Sequence, residues 1–479
     1  MSRKIKAAAA VLSICMFASA LTGCSAGGAK KNENQGLVNV QDEMYGASYW
    51  SERYKKSQDV LMTKEDIIKF NAQTIAAQAG VEDISYYKTS LNGTKLASLI
   101  NEYELPQYNL YSAAGELLYE YKEPVLDEDG NPVESDEESF ASRALANRGS
   151  NDIRTINNVS YGLAIGSSSI RRLPAEDMAF ASPANQNEDV LRAATLSIGE
   201  PVIILYTSAD SLWYFVQTRT CRGWVLCDNI VQAEKSEWLN FIHAEKFLVV
   251  TDRALALTPQ DASAETVILP MGTMLPLAEK NGALINGQSG DGNYIVNLPI
   301  ANENGGLSFR QALIPMTADV SVGYMDFTSE NIVRQALKLA GQKLNPAGLN
   351  GGWDADTYIA SIYSCFGITL PCSAEQLRTV PAKDVDLTIS SVKDSQKALD
   401  SAVPGSLLFT DKGAAVYLGK ENNRHYALAP FTDFFIGESR YTANSIIITD
   451  MDILFENGSS FLSSVKLIKI PALLASEEE

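Results

Sequence analysis

Histidine is almost absent from this chain: 479 residues contain two, His243 and His425. No CxxC pair, His-rich tract or HExxH pattern occurs either. Zinc centres draw their ligands from such clusters, so the sequence argues against a metal, and no cofactor is expected. Basic residues are outnumbered, 39 against 58 acidic, which leaves a net charge of −19. A surface that acidic repels polyanions and excludes nucleic acid as a general partner. There is no GxSxG elbow to present a serine nucleophile. Long apolar runs are missing too, apart from a short Ala-rich one near the start that is too short to favour a permanent membrane span.

What is present describes a folded, exported protein. Hydrophobic residues make up 46% of the chain and aromatic ones 9%, and at roughly 150 residues per domain the length suggests about three domains. The opening MSRKIK is a basic n-region and AAAAVLSICMFASA an apolar h-region, together a secretory signal. It ends in Leu21-Thr22-Gly23-Cys24, which resembles the bacterial lipoprotein cleavage box. That resemblance implies a signal peptide over 1–24 and lipid on Cys24, whose several acyl chains would hold the protein on the membrane. Residues 25–44, small and polar, read as a flexible tether. The expected location is therefore extracytoplasmic and lipid-anchored. Beyond Cys15 and Cys24 the chain has Cys221, Cys227, Cys365 and Cys372. Outside the cytosol four cysteines permit two disulfides, for example 221/227 and 365/372, but four free thiols fit equally well.

Residues 45–112 read as mainly helical. Thr63 precedes acids in a first turn, with Ile67, Ile68, Phe70 and Ile75 following. LNGTKLASLINEYELP suggests another helix ending before Pro106, and the acidic, turn-rich stretch after it is a surface loop. From 155 the pattern changes to short apolar runs separated by SADS and RTCRG, an antiparallel meander. With Gly162, the run GEPVIILYTSADSLWYFV and the Gly223-Trp224 pair, this stretch resembles a bacterial SH3-like domain of the kind that precedes NlpC-type cell-wall peptidases. Trp213 and Trp224 read as barrel core rather than ligand contacts. A second β-rich stretch, with Gly272 and Pro276 in PMGTMLPLAEKNG, resembles the second such domain of that architecture. His243 falls in the hinge between them, with no role expected.

The stretch on which the functional argument turns is 348–371, GLNGGWDADTYIASIYSCFGITLP. It reads as a Gly/Asn loop, then a helix capped by Asp354 or Asp356, then a strand entry. Ile359, Ile362, Tyr363 and Phe366 give that helix an apolar face, and Gly367 ends it. Around it lie the amphipathic helix FTSENIVRQALKLAGQKL and a run of short strands, PGSLLFT, AAVYLG, HYALAP, NSIIITDM and SVKLIKIP. Helices followed by a meander make an α+β pattern.

Here the chain resembles the NlpC-type, papain-like cysteine peptidases, which cleave peptidoglycan stem peptides next to D-glutamate. Their helix start reads YGWGG-LNGN-R-DCS and runs on to CFGI-LPR; this chain reads LNPAG-LNGG-W-DAD and then SCFGITLP. The resemblance implies a multidomain α+β protein. A helical N-terminal stabilising domain would occupy 45–154 and SH3-like β-barrels 155–240 and 241–318. A papain-like domain would fill 319–479. It also implies three catalytic positions, and all three have changed. The nucleophilic Cys, which the family keeps at a helix N-terminus where the dipole sustains thiolate, is Ala355. The general base, a His opening the strand before YLG, is Gly413. The polar residue that orients the base is Ala429. The family's pocket Tyr corresponds to Leu344 and its Arg before DCS to Trp353; Asp356 stands for its Ser. Asp354 alone persists, as a helix cap or as the carboxylate that receives a peptide's free amino end.

The expectation is a catalytically inactive homologue, a pseudoenzyme that binds stem peptides or scaffolds cell-wall proteins, with Asp354, Trp353 and Asp356 as ligand-binding candidates. The rival is an active γ-D-glutamyl-diamino acid endopeptidase with a relocated pair, Cys365 and His425. A third reading is a protein-binding module whose old cleft is filled by Trp353 and Leu344.

Overall fold

A computed structural model describes residues 38–123, 139–184, 186, 188–257, 266–280, 282, 284–285, 287–344, 353, 355, 357–470 and 472. The signal peptide, Cys24 and most of the tether lie outside the described residues, as does most of the acidic loop. Among the described residues no helix is long and apolar enough to cross a membrane. Mixed α and β structure runs through the chain, which from Gly36 to Glu479 forms one compact unit.

The N-terminal stretch is less helical than its sequence suggests. Lys64–Ala76 and Gly93–Ile100 are helices, and Thr63 and Asp66 form a reciprocal capping box at the first of them. Between and after them run short strands, Val60–Met62, Ser90–Asn92 and the hairpin Leu110–Tyr111 with Leu117–Tyr119. Each is too short to stand alone, and two find partners elsewhere: Val60–Met62 pairs with Phe327–Thr328, and Ser90–Asn92 with Ile156–Asn158. The side chains follow the same division. Met44, Trp50, Met62 and Phe70 join the core around the C-terminal helices, while Ile84, Leu96 and Ile100 join Tyr161, Trp213 and Trp224. This region thus cements its neighbours together.

Seven strands between Ser160 and Ala233 form a single antiparallel sheet. Its alternation buries Phe215, Trp213 and Trp224, and Trp224 is fully enclosed with its ring 5.0 Å from that of Phe215. Burial on that scale makes the two tryptophans core residues. Three smaller sheets follow. Phe247–Val250 pairs with Met274–Pro276 and Val320–Val322, Ala254–Leu257 with Val267–Pro270, and Asn293–Ala301 with Leu307–Pro315 over its whole length.

The C-terminal part is a six-stranded antiparallel sheet in the order Lys383–Asp386, Leu467–Ile470, Leu407–Thr410, Gly413–Glu421, Arg424–Ile436, Ser439–Asp450. Strand alternation gives it two different faces. One carries Val416, Leu418, Leu428, Ile446 and Ile448 against the helices Ser329–Leu337 and Tyr358–Ser364. The other carries Ala415, Tyr417, Ala427 and Ala429 against Leu399, Phe431, Phe461 and Leu462. Those two faces decide which residues can share a site.

Candidate functional site

The helix at the centre of the functional argument spans Tyr358–Ser364. Tyr358, Ile359, Ile362 and Tyr363 are all buried, the two-stripe spacing of an inward helical face. Two phenols fix it in place. The Tyr358 hydroxyl donates to the Ala414 carbonyl at 2.9 Å and that of Tyr363 to the Gly405 carbonyl at 2.8 Å.

Its start differs from the expected Asp-capped one. Thr357 occupies the N-cap with an α-region backbone and no side-chain cap hydrogen bond. Asp354 and Asp356 lie outside the described residues, so their proposed roles find no geometry here. Ala355 sits exposed in the turn ahead of the helix, three residues before Tyr358. The helix dipole acts mainly over the first turn, so Ala355 stands off the helix itself.

Gly413 opens its strand opposite Thr410. Tyr358 reaches the carbonyl of the next residue, so the Gly413 end of the strand lies by the start of the helix. A side chain at Gly413 would meet no atom within 4 Å, yet its φ of +131° lies where L-residues rarely settle. There is room for a Cβ, but the backbone does not suit a side chain. Ala429 does not share a face of the sheet with the helix. It pairs with Ile447 and packs with Tyr417, Phe431 and Phe461 on the face turned away from the helix. Its neighbour Leu428 faces the helix instead. Alternation makes the difference, because a shift of one position reverses the side of the sheet.

Trp353, named as a ligand candidate, is largely buried. Its N–H donates to the Lys343 carbonyl at 3.2 Å, and it bridges to Leu344, whose own N–H reaches the Asn444 carbonyl at 3.1 Å. The indole is 7% exposed and belongs to the core around Tyr358 and Ile359. An indole so placed fills space under the loop and presents little to a ligand.

The relocated pair is not assembled. Cys365 is buried, with its thiol 3.8 Å from the Val250 carbonyl and 3.7 Å from that of Ser361, and burial pushes it up to about 12. His425 sits with the opposite face of the sheet: its Nδ1 lies 2.9 Å from the Tyr417 hydroxyl, and its Nε2 3.4 Å from Asp400. Burial, then the Lys420 charge, lowers the imidazole to about 4 against the pull of Asp400. Neither state suits general-base catalysis near neutrality. Cys365 is therefore expected to resist iodoacetamide at pH 7.5 in the folded protein and to react fully in urea. Alkylation of the folded protein at the rate of a free cysteine peptide would contradict this placement.

Of the two alternatives for the cysteines, the structure has the free thiols. Cys221 and Cys227 stand at opposite ends of the Arg222–Leu226 strand, at ~3.3 Å per residue far beyond disulfide reach. The Cys227 thiol turns to the Ser211 carbonyl, and Cys365 and Cys372 turn to Val250 and Thr220 respectively. Two cavities among the described residues lie elsewhere. One, of about 320 Å³, is between Lys246, Leu277 and Tyr294, and the other, of about 390 Å³, between Lys383, Lys397 and Ile468.

Comparison with known proteins places this geometry. Residues 179–226 match the model of an SH3 domain of SH3b1 type, covering the strands Arg192–Leu196, Pro201–Thr207, Trp213–Gln217 and Arg222–Leu226. Among solved structures, an NlpC/P60 endopeptidase from Photobacterium damselae subsp. piscicida superposes with a TM-score of 0.65. The likeness covers 88% of this chain and 95% of that one at 15% identity. The fold is that of the NlpC/P60 endopeptidases, with an SH3b domain. An NlpC/P60 family protein from Bacillus cereus ATCC 10987 matches over 65% of this chain and 99% of its own, at 13% identity and a TM-score of 0.45. No curated protein matches. The NlpC/P60 fold thus surrounds an alanine, a left-handed glycine and an outward-turned alanine at the positions named from sequence.

Proposed function

We propose that this protein is a noncatalytic, cell-wall-associated relative of the NlpC/P60 endopeptidases, held outside the cell by lipid on Cys24. In this layout a helical segment is followed by SH3-like modules over 155–240 and 241–318 and a peptidase-like domain over 319–479. It uses the modules and the retained fold to bind stem peptides or to hold other wall proteins. The observation that carries the reading is Ala355, exposed in a turn before the Tyr358–Ser364 helix. A methyl group there cannot attack a carbonyl, and Gly413 has neither an imidazole nor a backbone suited to one. Burial of Trp353 beside Leu344 favours scaffolding over peptide capture, because side chains fill the positions that correspond to the family's pocket Tyr and Arg.

The full chain, incubated with stem peptides containing L-Ala-γ-D-Glu-diamino acid, is expected to give no fragments above a protein-free control by mass spectrometry. Turnover that disappears in Cys365→Ala or His425→Ala would overturn the reading in favour of a rearranged peptidase. Calorimetric titration of the same peptides against wild type and Asp354→Ala separates the two noncatalytic roles. Binding lost in the variant supports a peptide receptor, and no binding by wild type supports a scaffold.

A further inference from the structure

Two cysteines far apart in sequence come near each other in the fold. Cys221 lies in the turn between Trp213–Gln217 and Arg222–Leu226, inside the SH3b domain. Cys372 follows Pro371 and precedes the helix Ala374–Thr379 in the C-terminal part. Both cysteines pack on the cluster of Ala164, Ile170, Val202 and Val216, and the Cys372 thiol lies 3.4 Å from the carbonyl of Thr220, the residue next to Cys221. The Cys372 thiol also donates to the Thr220 hydroxyl at 3.2 Å. The turn holds Cys221 in place. The Thr218 hydroxyl accepts from the N–H groups of Thr220 and Cys221 at 3.2 and 3.0 Å, and the Cys221 carbonyl accepts from the Thr218 N–H at 2.8 Å. Neither cysteine is needed for the pseudoenzyme reading, and neither lies by Ala355 or His425.

We propose that Cys221 and Cys372 form a disulfide that staples the SH3b domain to the C-terminal part of the chain. The oxidant is a disulfide-bearing compound, either a small molecule or an extracytoplasmic thiol oxidoreductase. The Cys221 thiolate attacks one sulfur of the oxidant and expels the other as thiolate, leaving a mixed disulfide. The Cys372 thiolate then attacks the Cys221 sulfur and releases the second thiolate. The two cysteines lose two electrons, the oxidant gains them, and the two thiol protons end on its sulfurs. Interaction with the Cys372 thiol, and then burial, raises the Cys221 thiol well above its ordinary value, so closure quickens as pH rises. Once closed, the bond locks the hairpin turn to the segment after Pro371 and removes sliding between the two parts.

The test is disulfide mapping of the full chain after incubation with oxidised glutathione and an acid quench. Trypsin cuts at Arg219 and Arg222, so Cys221 leaves on the tripeptide 220–222 and Cys227 on 223–235. Cys365 and Cys372 leave together on 344–378. The expected product joins 220–222 to 344–378, persists in Cys365→Ser and vanishes in Cys372→Ser, with Cys227 free to alkylate throughout. Cys221 recovered as thiol or glutathione adduct without the cross-link overturns the proposal, as does a 221/227 or 365/372 linkage. Retention of the cross-link in Cys365→Ser is the control that reports a folded protein independently of the Cys372 variant.

Discussion

Gly272→Ala is expected to destabilise the protein by about 2–4 kcal/mol, one of the two largest effects anticipated here. The glycine has φ +86°, and a Cβ built on it would lie 1.8 Å from the Ser364 hydroxyl oxygen, 2.9 Å from the Ser364 Cβ and 3.2 Å from the Ser361 carbonyl. The left-handed backbone alone costs an alanine about 1–2 kcal/mol, and forcing a methyl into a filled joint costs about 1–3 kcal/mol. The hydroxyl could rotate away, but the Ser364 Cβ and the helix carbonyl could not. The joint matters because it ties the Phe247–Val250 sheet to the end of the Tyr358–Ser364 helix, where the Gly272 N–H also donates to the Val250 carbonyl at 2.9 Å. Urea unfolding followed by tryptophan fluorescence would measure the loss. The double variant with Ser364→Ala should recover part of it, since the hydroxyl clash goes while the φ penalty stays. A change below about 0.5 kcal/mol in the single variant would show that the joint is loosely packed.

Several parts of this arrangement were legible in the sequence for identifiable reasons. Thr63 with acids behind it announced a helix start, and the capping box is there, because a cap is decided by three or four adjacent residues. The meander of short apolar runs announced an antiparallel sheet, since alternation is a local property. The SH3b match and the NlpC/P60 fold agree with motifs read around Gly223-Trp224 and SCFGITLP.

What could not be read is nonlocal or depends on phase. The first turn of the central helix looked Asp-capped, but the structure begins it at Tyr358, where burial of two tyrosines fixes the register. Ala429 was placed by counting along a strand, and a strand's face depends on a phase that only pairing sets. Trp353 looked like a pocket residue because its family counterpart is one, whereas here an indole replaces a guanidinium and takes up core volume. The Cys372–Thr220 contact that brings Cys372 beside Cys221 had no signal at all, because 152 positions separate its two residues. The same holds for the division of the N-terminal stretch between two cores, which depends on strands too short to predict.

Replacing His425 should change the acid side of the stability profile, and the sign follows from which state holds the proton. The imidazole is 4% exposed, hydrogen-bonded to buried Tyr417, and lowered to about 4 from an ordinary value of 6.5. Above pH 6.5 it is neutral in folded and unfolded chains alike, so it contributes no slope. Between 6.5 and 4 the unfolded chain takes up a proton that the folded one refuses, and stability falls as pH falls. Below 4 both are charged and the loss is complete. At about 1.4 kcal/mol per tenfold in proton affinity, the full loss is about 3 kcal/mol. A His425→Gln variant cannot take that proton, so this contribution to the slope disappears in it, even if its stability at pH 7 is lower from imperfect packing. Glu200 opposes this slope. Burial raises its carboxyl to about 7 from 4.5, so the folded state holds a proton the unfolded state has lost, and stability is lost as pH rises from 4.5 to 7. Wild type should therefore show a deceptively level profile between pH 4.5 and 6.5 from these two groups together. Removing either one should uncover the other: Glu200→Gln should make stability rise with pH in that window, and His425→Gln should make it fall. Urea midpoints measured at half-unit steps of pH test both slopes, and parallel profiles for wild type and the two variants would show that neither group is held in the protonation state its surroundings favour.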